Sequence, residues 1–317
     1  MVAFLNSLGL GRPFPAPAAF PRPLSADRPA AREMLRALRP RHWVKNLLVF
    51  APLLFSEGPP SAASLERLAL VFAGFCLLSS AGYVLNDLRD RPFDRLHPVK
   101  RNRPLARGGI TAGQALPLIG ALGAVGLVVF GCLVPRAFVV AGAYLMLSGV
   151  DTFFLKRGRW ADVVALAGLL SLRAGAGVAA LAVGPDPRGV AFIFFLTLSL
   201  ACAKRLMENR DFLGAGPSAL TPYRAADAPR LVRLGAGAAC LALAAFAAGV
   251  PGHRPMSANA VLAGIAAGGL LAWGLVRFWR GVAEDRLGRD ILQFFLGDAT
   301  THGLSLVFLL CSLWSHF

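Results

Sequence analysis

Asp87, Asp90 and Asp94 lie in the stretch YVLNDLRDRPFDRLHPVKRNRPLARGG, residues 83–109, together with seven Lys or Arg residues. Spacings of three and four put the three carboxylates within about 60° of one another around a helix axis. Like charges held so close repel unless a cation joins them. Oxygen ligands on one helical face suit Mg2+, which keeps several waters and is usually completed by substrate phosphates. Asn86 before the motif and the basic run Lys100, Arg101, Arg103 and Arg107 after it extend the pattern, because metal ligands beside cations describe a diphosphate site. The alternative is a solvated helix end whose aspartates pair with Arg89, Arg91 and Arg95. Pro92 removes a backbone donor and crowds the carbonyl of Leu88, which leaves open whether Asp94 lies on the helix or on a loop.

The elements that must hold such a site are set by composition. The chain has 317 residues, of which 56% are hydrophobic, and its apolar stretches are separated by short charged connections. Stretches of about twenty apolar residues are what a bilayer-spanning helix bundle requires. Hydropathy predicts nine spans, at 46–57, 65–86, 114–134, 137–154, 162–183, 189–206, 230–250, 258–277 and 291–315. Residues 1–30 carry Pro and Arg without the apolar core of a signal peptide and are expected to be a disordered, uncleaved arm; 31–317 form one transmembrane domain. The five cysteines stand singly in apolar segments, which indicates neither a zinc site nor a disulfide framework.

Lys and Arg accumulate in cytoplasmic loops. Under the nine-span division, 28 of the 33 basic residues fall on one side. Arg67, Arg136, Arg188 and Arg254 fall on the other, and Arg173 falls inside a span. That places the amino terminus and the aspartate motif in the cytoplasm and the carboxyl terminus outside a cell (inner) membrane. The net charge of +16 follows from these loops and from anionic headgroups, so no nucleic-acid partner is required.

NDLRDRPFD fits the NDxxDxxxD signature of the UbiA superfamily of intramembrane prenyltransferases, and HPVKRNRPLARG resembles that family's continuation. LRPRHWVKNLLVFAPLLFS, FLKRGRWADVVALAGLLSLRAGAG, ACAKRLMENR and, weakly, FFLGDATTHGLSL resemble the branch of decaprenyl-phosphate phosphoribosyltransferases. The resemblance implies an all-α bundle with a central cavity open to the cytoplasm and the bilayer. It implies Mg2+ on Asp87, Asp90 and Asp94, phosphoribosyl diphosphate as donor, polyprenyl phosphate as acceptor, and a place in cell-envelope synthesis. Transfer of a polyprenyl group from its diphosphate to an aromatic acceptor remains an alternative, since the aspartate motif serves both. A transporter is disfavoured because polar groups gather at one end. Whether the chain forms a homo-oligomer is left open.

The other pieces divide in the same way. Arg39, Arg41 and Lys45 enter the first span with Trp43 as an interfacial anchor; Lys45 and Asn46 either grip phosphate or belong to that anchor. Lys156 precedes Asp162, and Arg173 follows on nearly the same face about 16 Å deeper, where an arginine faces a cavity or a partner. Lys204 and Arg205 offer cations to donor phosphate and Glu208 a carboxylate to a ribose hydroxyl; the bland reading is an i,i+4 pair of Lys204 with Glu208 worth tenths of a kcal/mol. PYRAAD, with Tyr223, Arg224 and Asp227, resembles a cytoplasmic loop of the family. Asp298 and His302 share a helical face, but two ligands are too few for a metal. The family has a tyrosine at the position of Asp151 and an arginine at that of Ala299, so no role is carried to Asp151, Asp298 or His302.

Overall fold

The computed structural model describes residues 30–55, 60–96, 100–155, 158–182, 184, 186–213, 227–249 and 258–284, with single helical positions at Gly303 and Val307. Among them every regular element is helical. Helix α1 (Ala30–Leu38) leads into a 3₁₀ segment (Pro40–Phe55), then α2 (Ala62–Leu96) and a short 3₁₀ turn (Lys100–Asn102). Helix α3 (Ala112–Val128) passes into a π-turn (Val129–Leu133) and a 3₁₀ turn (Pro135–Ala137), followed by α4 (Phe138–Phe153), α5 (Arg159–Leu181), α6 (Pro187–Leu213), α7 (Ala228–Gly249) and α8 (Ala258–Ala283).

Six helices among the described residues are long and apolar enough to cross a membrane: α2, α3 with its π-turn, α5, α6, α7 and α8. Large apolar side chains such as Val139, Met146, Leu262 and Ile265 are exposed on the outer faces, as lipid contact requires. The remaining expected spans stand differently. That at 46–57 falls on the 3₁₀ segment, that at 137–154 on the 16-residue α4, and that at 291–315 lies, but for Gly303 and Val307, outside the described residues. Neither the 3₁₀ segment nor α4 is among the six.

Helix α5 is the hub, packing on α4, α6, α2 and the 3₁₀ segment, while α2 lies along α3 and α6 along α7. Close approach of the 3₁₀ segment depends on Gly177, where a Cβ would stand 2.0 Å from the carbonyl oxygen of Val49. Beside this contact Phe75 meets Phe130 and Tyr144 edge to face, with centroids 5.3 and 5.1 Å apart.

Helix α2 has 35 residues. At 1.5 Å per residue it is about 50 Å long, well beyond a hydrocarbon core of about 30 Å. The helix therefore outruns the apolar span expected at 65–86 and carries the aspartate motif on its last turns. It continues through Pro92, which settles the position of Asp94: it is helical. The proline removes one hydrogen bond, while Asp94 and Arg95 anchor the final turn to the following loop through Arg103 and the carbonyl of Ala106. Helix α1 packs on α2 and is held to the same loop by buried Glu33, which pairs with Arg107. Gly109 makes room for it, since a Cβ there would lie 2.8 Å from Glu33 Oε2.

Candidate active site at the end of α2

Asp87 and Asp94 are 1% and 4% exposed. Carboxylates withdrawn from water are costly unless charge or hydrogen bonds compensate them. Two arginines do so here. Arg39 donates from Nη2 to Asp87 Oδ1 at 2.5 Å. Arg103 donates from one nitrogen, Nη1, to the same oxygen at 3.1 Å and to Asp94 Oδ2 at 2.7 Å. Arg39 reaches this position because its φ of 54° turns the chain sharply after α1. Arg89 donates to the carbonyl of Phe153 at 3.0 Å and Arg95 to that of Ala106 at 2.9 Å. They point elsewhere around α2, because neighbours one or two positions apart do not share a face.

A second ionic group joins the start of α5 to the end of α6. Arg205 grips Asp162 through two nitrogens, Nη2 to Oδ1 at 2.6 Å and Nε to Oδ2 at 2.5 Å, and also pairs with Glu208. Lys204 Nζ stands 3.8 Å from Glu208 Oε1, so the expected i,i+4 pair forms inside a larger network. Lys100 lies between the two groups. Burial lowers its hold on its proton, while Glu208 from one group and Asp94 and Asp90 from the other act against that loss.

The 3₁₀ segment contributes Lys45, whose Nζ is 3.3 Å from His42 Nδ1. Asn46 faces the other way, fully buried. Its Oδ1 accepts from Arg173 Nε at 2.7 Å, and its Nδ2 donates to Cys76 Sγ and Ser79 Oγ, both at 3.4 Å. Arg173 also donates to Tyr144 Oη at 3.0 Å and to the carbonyl of Leu169, with its guanidinium 4.8 Å from the Tyr144 ring centroid. Trp43, half-buried, donates from Nε1 at 3.1 Å to Ser80 on α2, since an indole N–H partly withdrawn from water takes an acceptor.

The expected residues thus separate. Asp87, Asp94, Arg103, Lys100, Lys204, Arg205, Glu208 and Asp162 gather at one end of the bundle, with Asn86 and Asp90 half-buried on the same turns of α2. Arg101 is exposed, and Arg173 with Asn46 forms a separate interior cluster. Lys156, Tyr223, Arg224, Asp298 and His302 lie outside the described residues. Sequence reasoning read Arg39 only as an entry to the first span and gave His42 no role; the one available signal was their place in RPRHWVKN beside Lys45.

Among the described residues no three His, Cys, Asp or Glu side chains form a ready metal cage. The fit to Mg2+ rests on two carboxylates. Oxygens of Asp87 and Asp94 converge on a single positive nitrogen, and a pair of carboxylates completed by substrate phosphate is the usual protein share of a Mg2+ site.

The sequence profile of the UbiA prenyltransferase family matches residues 47–298. The decaprenyl-phosphate phosphoribosyltransferase of Mycolicibacterium smegmatis is 32% identical over 179 residues, 55% of this chain and 56% of that protein. Nodulation protein NoeC of Azorhizobium caulinodans is 36% identical over 175 residues, 54% and 56% of the two chains. These matches span about half the length of the curated relatives. A solved structure of a UbiA homolog from Archaeoglobus fulgidus bound to GPP and Mg2+ aligns with a TM-score of 0.69 at 17% identity, covering 89% of this chain and 98% of that one. At that identity the likeness is one of fold.

Proposed function

The chain belongs to the UbiA prenyltransferase family, and from that premise we propose that it transfers 5-phosphoribose from phosphoribosyl diphosphate to a polyprenyl phosphate, with release of pyrophosphate. The observation that carries this reading is the convergence of Asp87 and Asp94 on Arg103, with Arg39, Lys100 and Lys204 close by. The relative named as a decaprenyl-phosphate phosphoribosyltransferase supports the choice of substrates.

Asp87, Asp90 and Asp94 would hold Mg2+, which when bound draws negative charge from the departing pyrophosphate. Arg39 and Arg103, relieved of the carboxylates, turn to diphosphate oxygens, which offer the same paired geometry. Lys45, Lys100 and Lys204 neutralise the remaining phosphate charge, and Glu208 accepts a ribose hydroxyl. Arg205 keeps α5 and α6 in register through Asp162. Lys156, Tyr223 and Arg224 are assigned to substrate on their motifs alone. The acceptor's phosphate oxygen attacks C1 as the C1–O bond to pyrophosphate breaks. That oxygen is already ionised near neutral pH, so the chain need not supply a general base.

Purified protein with Mg2+ is offered two pairs: phosphoribosyl diphosphate with polyprenyl phosphate, and polyprenyl diphosphate with hydroxybenzoate. Reaction of the first pair alone, giving a lipid heavier by one pentose phosphate, is expected; prenylation of the aromatic acid with no pentose transfer would overturn the reading. The site is further proposed to face the cytoplasm in a nine-span bundle. Cysteines at Ser61 and Gly184 should then label from outside the cell and one at Asn102 should not. Gly109, close to Glu33, is unsuitable for such a reporter.

A further inference from the structure

Both arginines that meet on Asp87 are tied to α1. The chain leaves that helix through Arg39, whose Nη2 lies 2.5 Å from Asp87 Oδ1. Arg103 reaches the same oxygen from the loop after α2, and α1 grips that loop as well. Glu33, 2% exposed, pairs with Arg107, while the backbone N–H of Arg107 donates to the carbonyl of Arg103 at 3.0 Å. One turn of backbone therefore carries two guanidiniums, one directed to the aspartates and the other to α1.

Two guanidiniums drawn to one oxygen repel each other, so their arrangement needs support from outside the site. Apolar packing supplies part of it. Leu105 and Ile110 of the loop are buried with Ala37 of α1 and Val84 of α2. Such packing is non-directional; it sets the depth of the loop without fixing which way its arginines turn. The ion pair is directional, because a buried carboxylate left without its partner is costly and Glu33 is compensated only when Arg107 faces it. Arg36, 42% exposed with Nη1 3.9 Å from Glu33 Oε1, adds little. A Cβ at Gly109 would lie 2.8 Å from Glu33 Oε2, so the backbone of the loop lies directly on the carboxylate. Arg95 ties the loop to α2 through the carbonyl of Ala106 at 2.9 Å.

We propose that Glu33 is a positioning residue for the transfer: through Arg107 it holds the turn 103–107 so that Arg103 stays beside Arg39, preset for the diphosphate of the donor. Glu33 itself touches no substrate. The inference rests on reading the end of α2 as a diphosphate site, a feature common to pentose and prenyl transfer. Its consequence is specific: Glu33 acts on the diphosphate only by way of Arg103.

The test is calorimetry of Mg2+-pyrophosphate binding to the full chain in detergent for wild type, Glu33→Gln, Arg103→Gln and the double variant, together with hydrogen exchange over residues 100–110. Glutamine keeps the shape of the Glu33 side chain without its charge. Glu33→Gln should weaken pyrophosphate about tenfold where Arg103 is present and by less than about twofold where it is replaced. The amides of Arg103 and Arg107 should exchange faster while α5 and α6 stay as protected as in wild type. A residue with a merely structural role would instead lower the melting temperature and the fraction of protein that binds, leaving the affinity of that fraction as it was. An equal loss of affinity in both backgrounds, or unchanged exchange over 100–110, overturns the proposal. If Glu33→Gln does not fold, Glu33→Gln combined with Arg107→Gln removes both charges of the pair, and the same outcomes are read from it. Failure of wild type to bind pyrophosphate sinks the diphosphate reading and the proposal with it. Weakened pyrophosphate in Glu33→Gln, without any binding of phosphoribosyl diphosphate by wild type, supports Glu33 and sinks the pentose reading alone.

Discussion

The arginines at the end of α2 and the arginine in the middle of the bundle are neutralised in opposite ways. Arg39 and Arg103 meet the carboxylates of Asp87 and Asp94, whereas Arg173 is held by an amide oxygen, a phenol, a carbonyl and the faces of Tyr144 and Phe75. A guanidinium paired with carboxylate can exchange that partner for phosphate, which has the same forked acceptor geometry and more charge. One wrapped in neutral dipoles inside a close-packed core has no such exchange to make, because each partner is fixed to a different helix. The first arrangement suits a substrate, and the second ties Asn46 of the 3₁₀ segment to α4 and α5. Depth alone did not separate them, since an intramembrane arginine reads as functional by default.

The largest expected effect breaks the ionic side of this comparison. Asp87→Asn keeps an oxygen that can accept from Arg39, so the protein should fold and insert. Turnover should nevertheless fall by about 10² to 10³-fold, the scale on which removing one charge-stabilising group acts. Donor binding, followed by isotope-labelled phosphoribosyl diphosphate, should fall in parallel. Full activity in this variant would remove the aspartates from the mechanism.

Arg173→Met tests the neutral side. It leaves Asn46 Oδ1 and the Tyr144 hydroxyl without a partner, and each unsatisfied buried group costs about 1 to 3 kcal/mol. The melting temperature in detergent should drop by several degrees and kcat should fall, with little change in KM for either substrate. A donor KM raised tenfold or more at an unchanged melting temperature would make Arg173 a substrate ligand and collapse the distinction.

Much of the scaffold could be read from hydropathy, because bilayer thickness imposes the length of an apolar run; α3, α5, α6, α7 and α8 overlie their expected spans. Features governed by something other than apolarity escaped. Charge ends a hydropathy window without ending a helix, so the continuation of α2 past residue 86 was signalled by the aspartate spacing and not by hydropathy, and its passage through Pro92 was left open. The close packing of Pro40–Phe55 against α5 depends on Gly177 admitting the Val49 backbone, a contact between distant segments. At the site, spacing found the aspartates because three and four are local periods. It could not find their partners: Arg39 is 48 residues from Asp87, and Arg205 is 43 from Asp162.

The smallest expected effects separate cations that look alike in sequence. Lys204 is about a third exposed, with Nζ 3.8 Å from Glu208, while Arg101 is exposed two positions before the bridging Arg103. An exposed charge acts through water and salt, and beyond about 10 Å it is largely screened at 0.1 M ionic strength. A partly buried one close to the phosphates is screened less. Lys204→Ala should therefore raise KM for phosphoribosyl diphosphate about five- to tenfold and that for polyprenyl phosphate by less, because α6 is assigned to the donor. Arg101→Ala should change either KM by less than about twofold, and even that change should vanish at high salt. Both are measured by initial rates with one substrate varied at a time. A large, salt-independent effect of Arg101 would mean that position, and not burial, selects the cations that matter, and the boundary of the site would then have to move outward to include the exposed Arg101 and Asn102.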